Sequence, residues 1–388
     1  MARLLLIAVA AFLTFEPAQT RALPEITGDL TRGPFAVGFR KEVLTLPPAS
    51  LSRPTTVDVF RWYPARAADA PEHMRLADYY AAQGDGAVDG GSLQAALRVD
   101  MTDPPGVTDA MLADALEARL WAIRDAEPVE RPFPLLLWTY RDSIPTMQPL
   151  LAEYLASHGY NVAFAWPRDR VPAFPWNQDL TEQERRDALA AQVDLLSVTL
   201  DSVVDIETVD GGRVGLLSWS YGGESAHGLQ RLRPDVDLVV GVDANLVSGW
   251  VYRDAADLAN LGPSELVAPH VLLRHGSARV GGNETPVPEP LGRVAGGSWY
   301  GRFPALHHGN FNFPGGMLPG VLGLDTVSGW AVGGEVAQRG YEAMCRLVLQ
   351  FADAFLGEAG AHPDTIAEQS DDLVELSRFA PIVPQDRP

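Results

Sequence analysis

From Phe133 onward the chain alternates short apolar runs with longer amphipathic stretches, and that rhythm admits few folds. Leu135-Leu136-Leu137-Trp138, Asn161-Val162-Ala163-Phe164-Ala165-Trp166, Val214-Gly215-Leu216-Leu217, Leu238-Val239-Val240-Gly241-Val242 and Val271-Leu272-Leu273 show the near-continuous hydrophobicity of strands buried on both faces. Between and after them, residues 147–158, 180–203, a stretch ending near 232, and 335–356 have helical spacing, with Gly159 as a stop. Strand and helix in turn imply right-handed crossovers, hence an α/β fold: a mostly parallel sheet with helices on both faces. Upstream, residues 42–46 and 55–63 alternate polar and apolar side chains, predicting two antiparallel N-terminal edge strands, the second ended by Pro64. Residues 299–306 read as the last strand.

The 388 residues leave room for one large domain or two, and no repeat or domain-sized linker divides them. Residues 1–22 read as a secretory signal, with Arg3 at its start and an apolar run over 4–15 far short of the ~20 residues of a membrane span. A single domain over 23–388, in a secreted or periplasmic protein with no stable membrane span, is the expectation. Cys345 is the lone cysteine, so no disulfide forms within the chain and its core must stabilise it. Hydrophobic residues at 46% supply that core, while a net charge of −20 argues against nucleic acid as a partner. Residues 66–131 form a helical insertion. In it Leu112, Leu116, Leu120 and Ile123 predict an amphipathic helix, either packed on the flank or serving as a lid. From about 360 the chain reads as a polar surface tail.

Chemistry concentrates at Ser218-Trp219-Ser220-Tyr221-Gly222-Gly223, which follows an apolar run and precedes a helical one. A serine in a strand-to-helix turn between small residues has its hydroxyl lifted clear of the sheet. The common form is G-x-S-x-G, and Ser218 departs from it by one hydroxymethyl group. A serine nucleophile needs a neutral imidazole as base and a carboxylate to orient that base. Among the histidines, His227 lies too far into the following helix, and His270 and His275 read as satisfied by local backbone or solvent. His307 and His308 close the last strand, where neighbours face opposite sides, so at most one serves Ser220 and the pair does not make a zinc site. His308 is chosen, because Gly309 and Asn310 let the loop bend towards the site. Asp243, at the end of the 238–242 run, is the better acid; after 271–273 no carboxylate occurs before Glu284. Backbone N–H groups of Tyr221 and of Arg141, in the loop after the first parallel strand, are the expected donors to an oxyanion.

These motifs resemble secreted α/β-hydrolases of the plasma-type platelet-activating-factor acetylhydrolase and dienelactone-hydrolase-like group. The shared pieces are Gly33-Pro34-Phe35-Ala36-Val37-Gly38, Val57-Asp58-Val59 with Trp62-Tyr63-Pro64, Leu155-Ala156-Ser157-His158-Gly159-Tyr160, the Ser220 turn, Asp243 and His308-Gly309-Asn310-Phe311. The acetylhydrolases place their acid after the strand that follows the nucleophile, which agrees with Asp243. Their His-x-Asn-Phe pattern falls on His308. Thr139-Tyr140 stands where His-Gly is usual. The resemblance implies an α/β-hydrolase fold and a serine hydrolase of a small-molecule or lipid carboxylic ester, with no metal or organic cofactor. A lactone, thioester or peptide hydrolase with the same triad, or a binding protein on a disabled scaffold, are the alternatives.

Overall fold

The computed structural model describes residues 26–46, 55–83, 89–139, 145–168, 181–244, 266–276, 294–325, 331–358, 363–366 and 373–379. These contribute strands β1 (Ala36–Leu46), β2 (Thr55–Ala65), β3 (His73–Arg75), β4 (Arg119–Arg124), β5 (Phe133–Thr139), β6 (Asn161–Pro167), β7 (Val209–Trp219), β8 (Leu238–Val242), β9 (His270–His275), β10 (Ser298–Phe303) and β11 (Glu375–Phe379). They join in one sheet, ordered β11-β10-β9-β8-β7-β5-β6-β2-β1-β4-β3. The six strands from β10 to β6 run parallel, and β2 then β1 continue antiparallel. This mostly parallel sheet with its helices is an α/β architecture.

The longer helices are α1 (Leu76–Gln83), α2 (Gly90–Asp100), α3 (Asp109–Glu117), α4 (Pro149–Ser157), α5 (Glu182–Val204), α6 (Gly222–Leu232) and α7 (Gly334–Leu356). α4 packs with α7 and α5 with α6, giving two helical layers against the sheet. α4 is buried along its whole length, and Leu150, Leu151 and Leu155 are fully enclosed, each stabilising the fold by roughly 1.5–3 kcal/mol. It stops at Gly159, whose φ of +102° reverses the chain into β6 at no steric cost. α5 starts on a capping box in which Thr181 and Glu184 satisfy each other's backbone N–H groups. Among the described residues no helix is long and apolar enough to cross a membrane.

Three expectations need correction. β1 and β2 are antiparallel but not edges, because β6 lies beyond β2 and β4 beyond β1. The helix expected to run to Ile123 ends at Glu117, and β4 takes its place. Leu120 fits both patterns, being four residues after Leu116 and one member of the buried pair Leu120 and Ala122 that alternates with half-buried Trp121 and Ile123. Ala118 turns the chain extended, at ψ 138°, and period two replaces period 3.6. The insertion therefore adds two strands as well as helices, and its Tyr79 packs on Phe39 and Trp62 with ring centroids 5.1 and 5.9 Å away. Finally, the run at 299–306 ends as a strand at Phe303 and is not the last. Five residues of the tail form β11, antiparallel to β10.

Candidate active site

β7 is flanked by β5 and β8, with Ser218 level with Thr139 on one side and Gly241 on the other. Beyond it Ser220 takes φ +51°, a left-handed backbone that a non-glycine residue adopts only where its surroundings impose it. They do so through side chains as well as packing. The single Thr139 hydroxyl proton is shared between the Gly222 carbonyl at 2.9 Å and the Leu217 carbonyl at 3.2 Å, tying β5 to both sides of the turn. Ser218, where glycine is usual, is buried, and its hydroxyl donates to the Val240 carbonyl of β8 at 3.2 Å. The extra hydroxymethyl group thus fastens the strand that leads to Ser220 to the strand that leads to Asp243.

Asp243 follows β8, also left-handed at φ +46°, and its N–H donates to Leu273 O at 2.6 Å. Its buried carboxylate faces His308 Nδ1 through Oδ2, while His308 Nε2 lies 3.1 Å from Ser220 Oγ. The three side chains come from three separate places in the chain and meet in the order serine, imidazole, carboxylate. Trp219 stacks on the His308 ring, 5.0 Å between centroids and 13° from parallel, and so sets the plane of the imidazole. Burial alone would push the Asp243 carboxyl up. Hydrogen bonds from His275 and His308, with the charges of His308 and Arg274, overrule it and hold the group well below the usual carboxylate range. It is therefore held ionised, as an acceptor for the imidazole N–H groups around it.

His308 does not lie on a strand but opens the 3₁₀ turn His308–Phe311. Asn310 anchors that turn: its buried amide donates to Gly315 O and Val332 O at 2.9 Å each, and accepts from the N–H groups of His307 and Val332 at 3.0 Å each. Phe311 is buried edge-to-face on Phe303, and its carbonyl accepts from Gln148 at 2.6 Å. This gives a physical reason for the Asn-Phe of the motif.

Tyr221 heads α6 with helical φ −67° and ψ −13°, directly after Ser220. Arg141 and Glu284 lie outside the described residues. His270 is buried, with Nδ1 2.8 Å from Ala268 O, and His227 packs against it at 5.1 Å, away from Ser220's partners. His275, read from sequence as a local contact, belongs to the site instead: its Nδ1 lies 2.8 Å from the Asp243 carboxylate. The parallel register pairs Val242 with Leu273, which brings the two residues after β9's Leu273 level with Asp243, and a register is not written in either strand alone.

Asp243, His275 and His308 offer ligand atoms all within 4.8 Å of one another. A metal would need imidazole lone pairs where both rings now present donors, and it would sit beside Arg274, whose Nε is 3.3 Å from Asp243 Oδ1. The donor set fits a hydrogen-bonded carboxylate better than a metal centre.

Compared by sequence, the chain matches no protein-family model and no curated protein. By structure it is similar to a ferulic acid esterase from Streptomyces cinnamoneus, with a TM-score of 0.58 and 22% identity over 86% of this chain and 94% of that one. At that identity the likeness is one of fold. The sheet order, the helical layers and this likeness together define the α/β-hydrolase fold.

Proposed function

We propose that this protein is a serine hydrolase of carboxylic esters. The observation that carries the proposal is the 3.1 Å approach of His308 Nε2 to Ser220 Oγ, with Asp243 on the other ring nitrogen. Asp243 keeps the Nδ1–H tautomer, leaving the Nε2 lone pair to take the serine proton as Oγ attacks the ester carbonyl. The oxyanion receives the N–H of Tyr221 at the head of α6 and, in our assignment, that of Arg141. His308 then returns its proton to the leaving alcohol, and water cleaves the acyl-enzyme by the same route. These steps require no metal or organic cofactor.

The ester class is supported by the fold shared with an esterase and by the motifs quoted above. We place the chain with the platelet-activating-factor acetylhydrolase and dienelactone-hydrolase-like enzymes, acting outside the cytoplasm after removal of residues 1–22, on a small-molecule or lipid ester. A fluorophosphonate probe tests the core of this: the wild type should label covalently and Ser220→Ala should not. Retained labelling in Ser220→Ala, or an unlabelled wild type, would overturn the assignment. A panel of aryl, short-acyl and long-acyl esters, with a lactone, a thioester and a peptide, then separates the substrate classes.

A further inference from the structure

A nucleophile–base–acid triad needs one imidazole on its carboxylate, yet Asp243 holds two. His275, the last residue of β9, donates its backbone N–H to Oδ1 at 3.1 Å, and its Nδ1 lies 2.8 Å from both Oδ1 and Oδ2. An ionised carboxylate only accepts, so His275 Nδ1 must carry the proton. Arg274 Nε completes the Oδ1 side at 3.3 Å, while His308 takes Oδ2. The rings of His275 and His308 stand edge to face, 6.1 Å between centroids. From β10, Tyr300 is near enough for Asp243 and Arg274 to act on its phenol. Among the described residues, the titratable and charged groups facing the carboxylate are His275, Arg274, His308 and Tyr300.

Resting on the hydrolase assignment above, we propose that His275 is a positioning residue for His308, sharing the Asp243 carboxylate so as to fix its rotamer and temper its pull on the catalytic imidazole. Each donor on a carboxylate draws off part of the negative charge that would otherwise stabilise His308 once it is protonated. Without the His275 donor, Asp243 would favour protonated His308 more strongly, and the base would be lost at a higher pH. Sharing thus gives up some transition-state stabilisation in return for a weaker bias towards the protonated imidazole. Orientation gains as well: with both oxygens engaged, the carboxylate cannot swing out of line with His308, whose ring plane is already set by Trp219.

The test uses two substitutions in the full chain. His275→Phe keeps a ring and removes the Nδ1 donor; His275→Asn returns an amide N–H close to the same place. In the Phe variant the acid limb of kcat/KM should move to higher pH. Its plateau kcat should fall roughly ten- to hundredfold with KM unchanged, because a carboxylate no longer fixed by the Nδ1 donor swings out of line with His308, and that misplacement outweighs the transition-state stabilisation regained. The Asn variant should recover most of both. Proton NMR of the resting protein should show two downfield imidazole N–H resonances, and only one in His275→Asn. A Phe variant with wild-type kcat and pH profile would overturn the proposal. So would a loss that Asn fails to rescue while the melting temperature falls in step, since that marks a merely structural residue. A wild type that refuses the fluorophosphonate but shows both resonances overturns the hydrolase assignment alone; one that labels but shows a single resonance overturns the sharing alone.

Discussion

Ser220 and Asp243 are two of the five non-glycine residues with positive φ among those described, and each stands where a strand delivers its side chain to the site. A left-handed backbone there costs roughly 1–2 kcal/mol per residue, offset by the packing of β7 and β8 in the middle of the sheet. Asparagine tolerates that conformation, so Asp243→Asn isolates chemistry from folding. Its amide oxygen would turn to Arg274 and His275, leaving the NH₂ group towards His308, which then loses its Nδ1–H tautomer. Turnover should fall by about 10⁴-fold while the circular-dichroism melt stays close to wild type; unchanged turnover would remove Asp243 from the site. That Ser220, Asp243 and His308 would meet was legible in the sequence, the first two because each follows an apolar run and His308 because Gly309 and Asn310 mark a bend after it. His275 was not, since its role depends on how β8 and β9 slide against each other.

At the scale of elements, the turn His308–Phe311 is anchored above all by the buried amide of Asn310, which uses both its donors and both acceptor positions, with Phe311 packing and Gln148 beside it. Asn310→Ala leaves two N–H groups and two carbonyls without this partner, the Gly315 carbonyl fully buried and the others partly so. Urea denaturation should show a loss of roughly 3 kcal/mol, and kcat should fall more than KM rises, because the displaced group is the one proposed as base rather than a binding surface. Equal stability in the variant would mean that the turn is held by Phe311 packing alone. The strands from β5 to β9 could be read from sequence because strands buried on both faces are apolar throughout. The insertion could not: Leu112, Leu116 and Leu120 satisfy a helical period that the chain abandons at Ala118, and only the unpaired side of β1 explains why a strand forms there. The five residues of β11 are mostly polar and were hidden for the same reason, being defined by the edge they cover.

Across the whole molecule, stability depends on a carboxyl far from Ser220 in sequence. Glu153 of α4 is fully buried; its carboxylate accepts from the Tyr79 hydroxyl of α1 and, at 2.6 Å, from the Trp121 N–H of β4, so it links the insertion to the main core. Burial pushes Glu153 up to about 7, against the opposing pull of those hydrogen bonds. A raised value in the folded state means that the folded chain binds the proton more tightly than the unfolded one. The associated stability is complete below the unfolded value near 4.5 and is lost as pH rises through about 7. The loss is on the order of 3 kcal/mol. Urea midpoints measured from pH 5 to 8 should fall in the wild type and flatten in Glu153→Gln; parallel curves would assign the slope to other groups. A different consequence follows from the borders of the sheet. Its interior runs, such as Leu238–Val242, are sequences that stack on copies of themselves when a backbone edge lies open. Here the outermost strands are three and five residues long, with Arg75 on one and Glu375 and Arg378 on the other. Short, charged borders offer a second molecule little to pair with. The final strand is thus a guard against fibrous association: a chain cut back ahead of Glu375 would present the bare backbone of β10 to every copy it met.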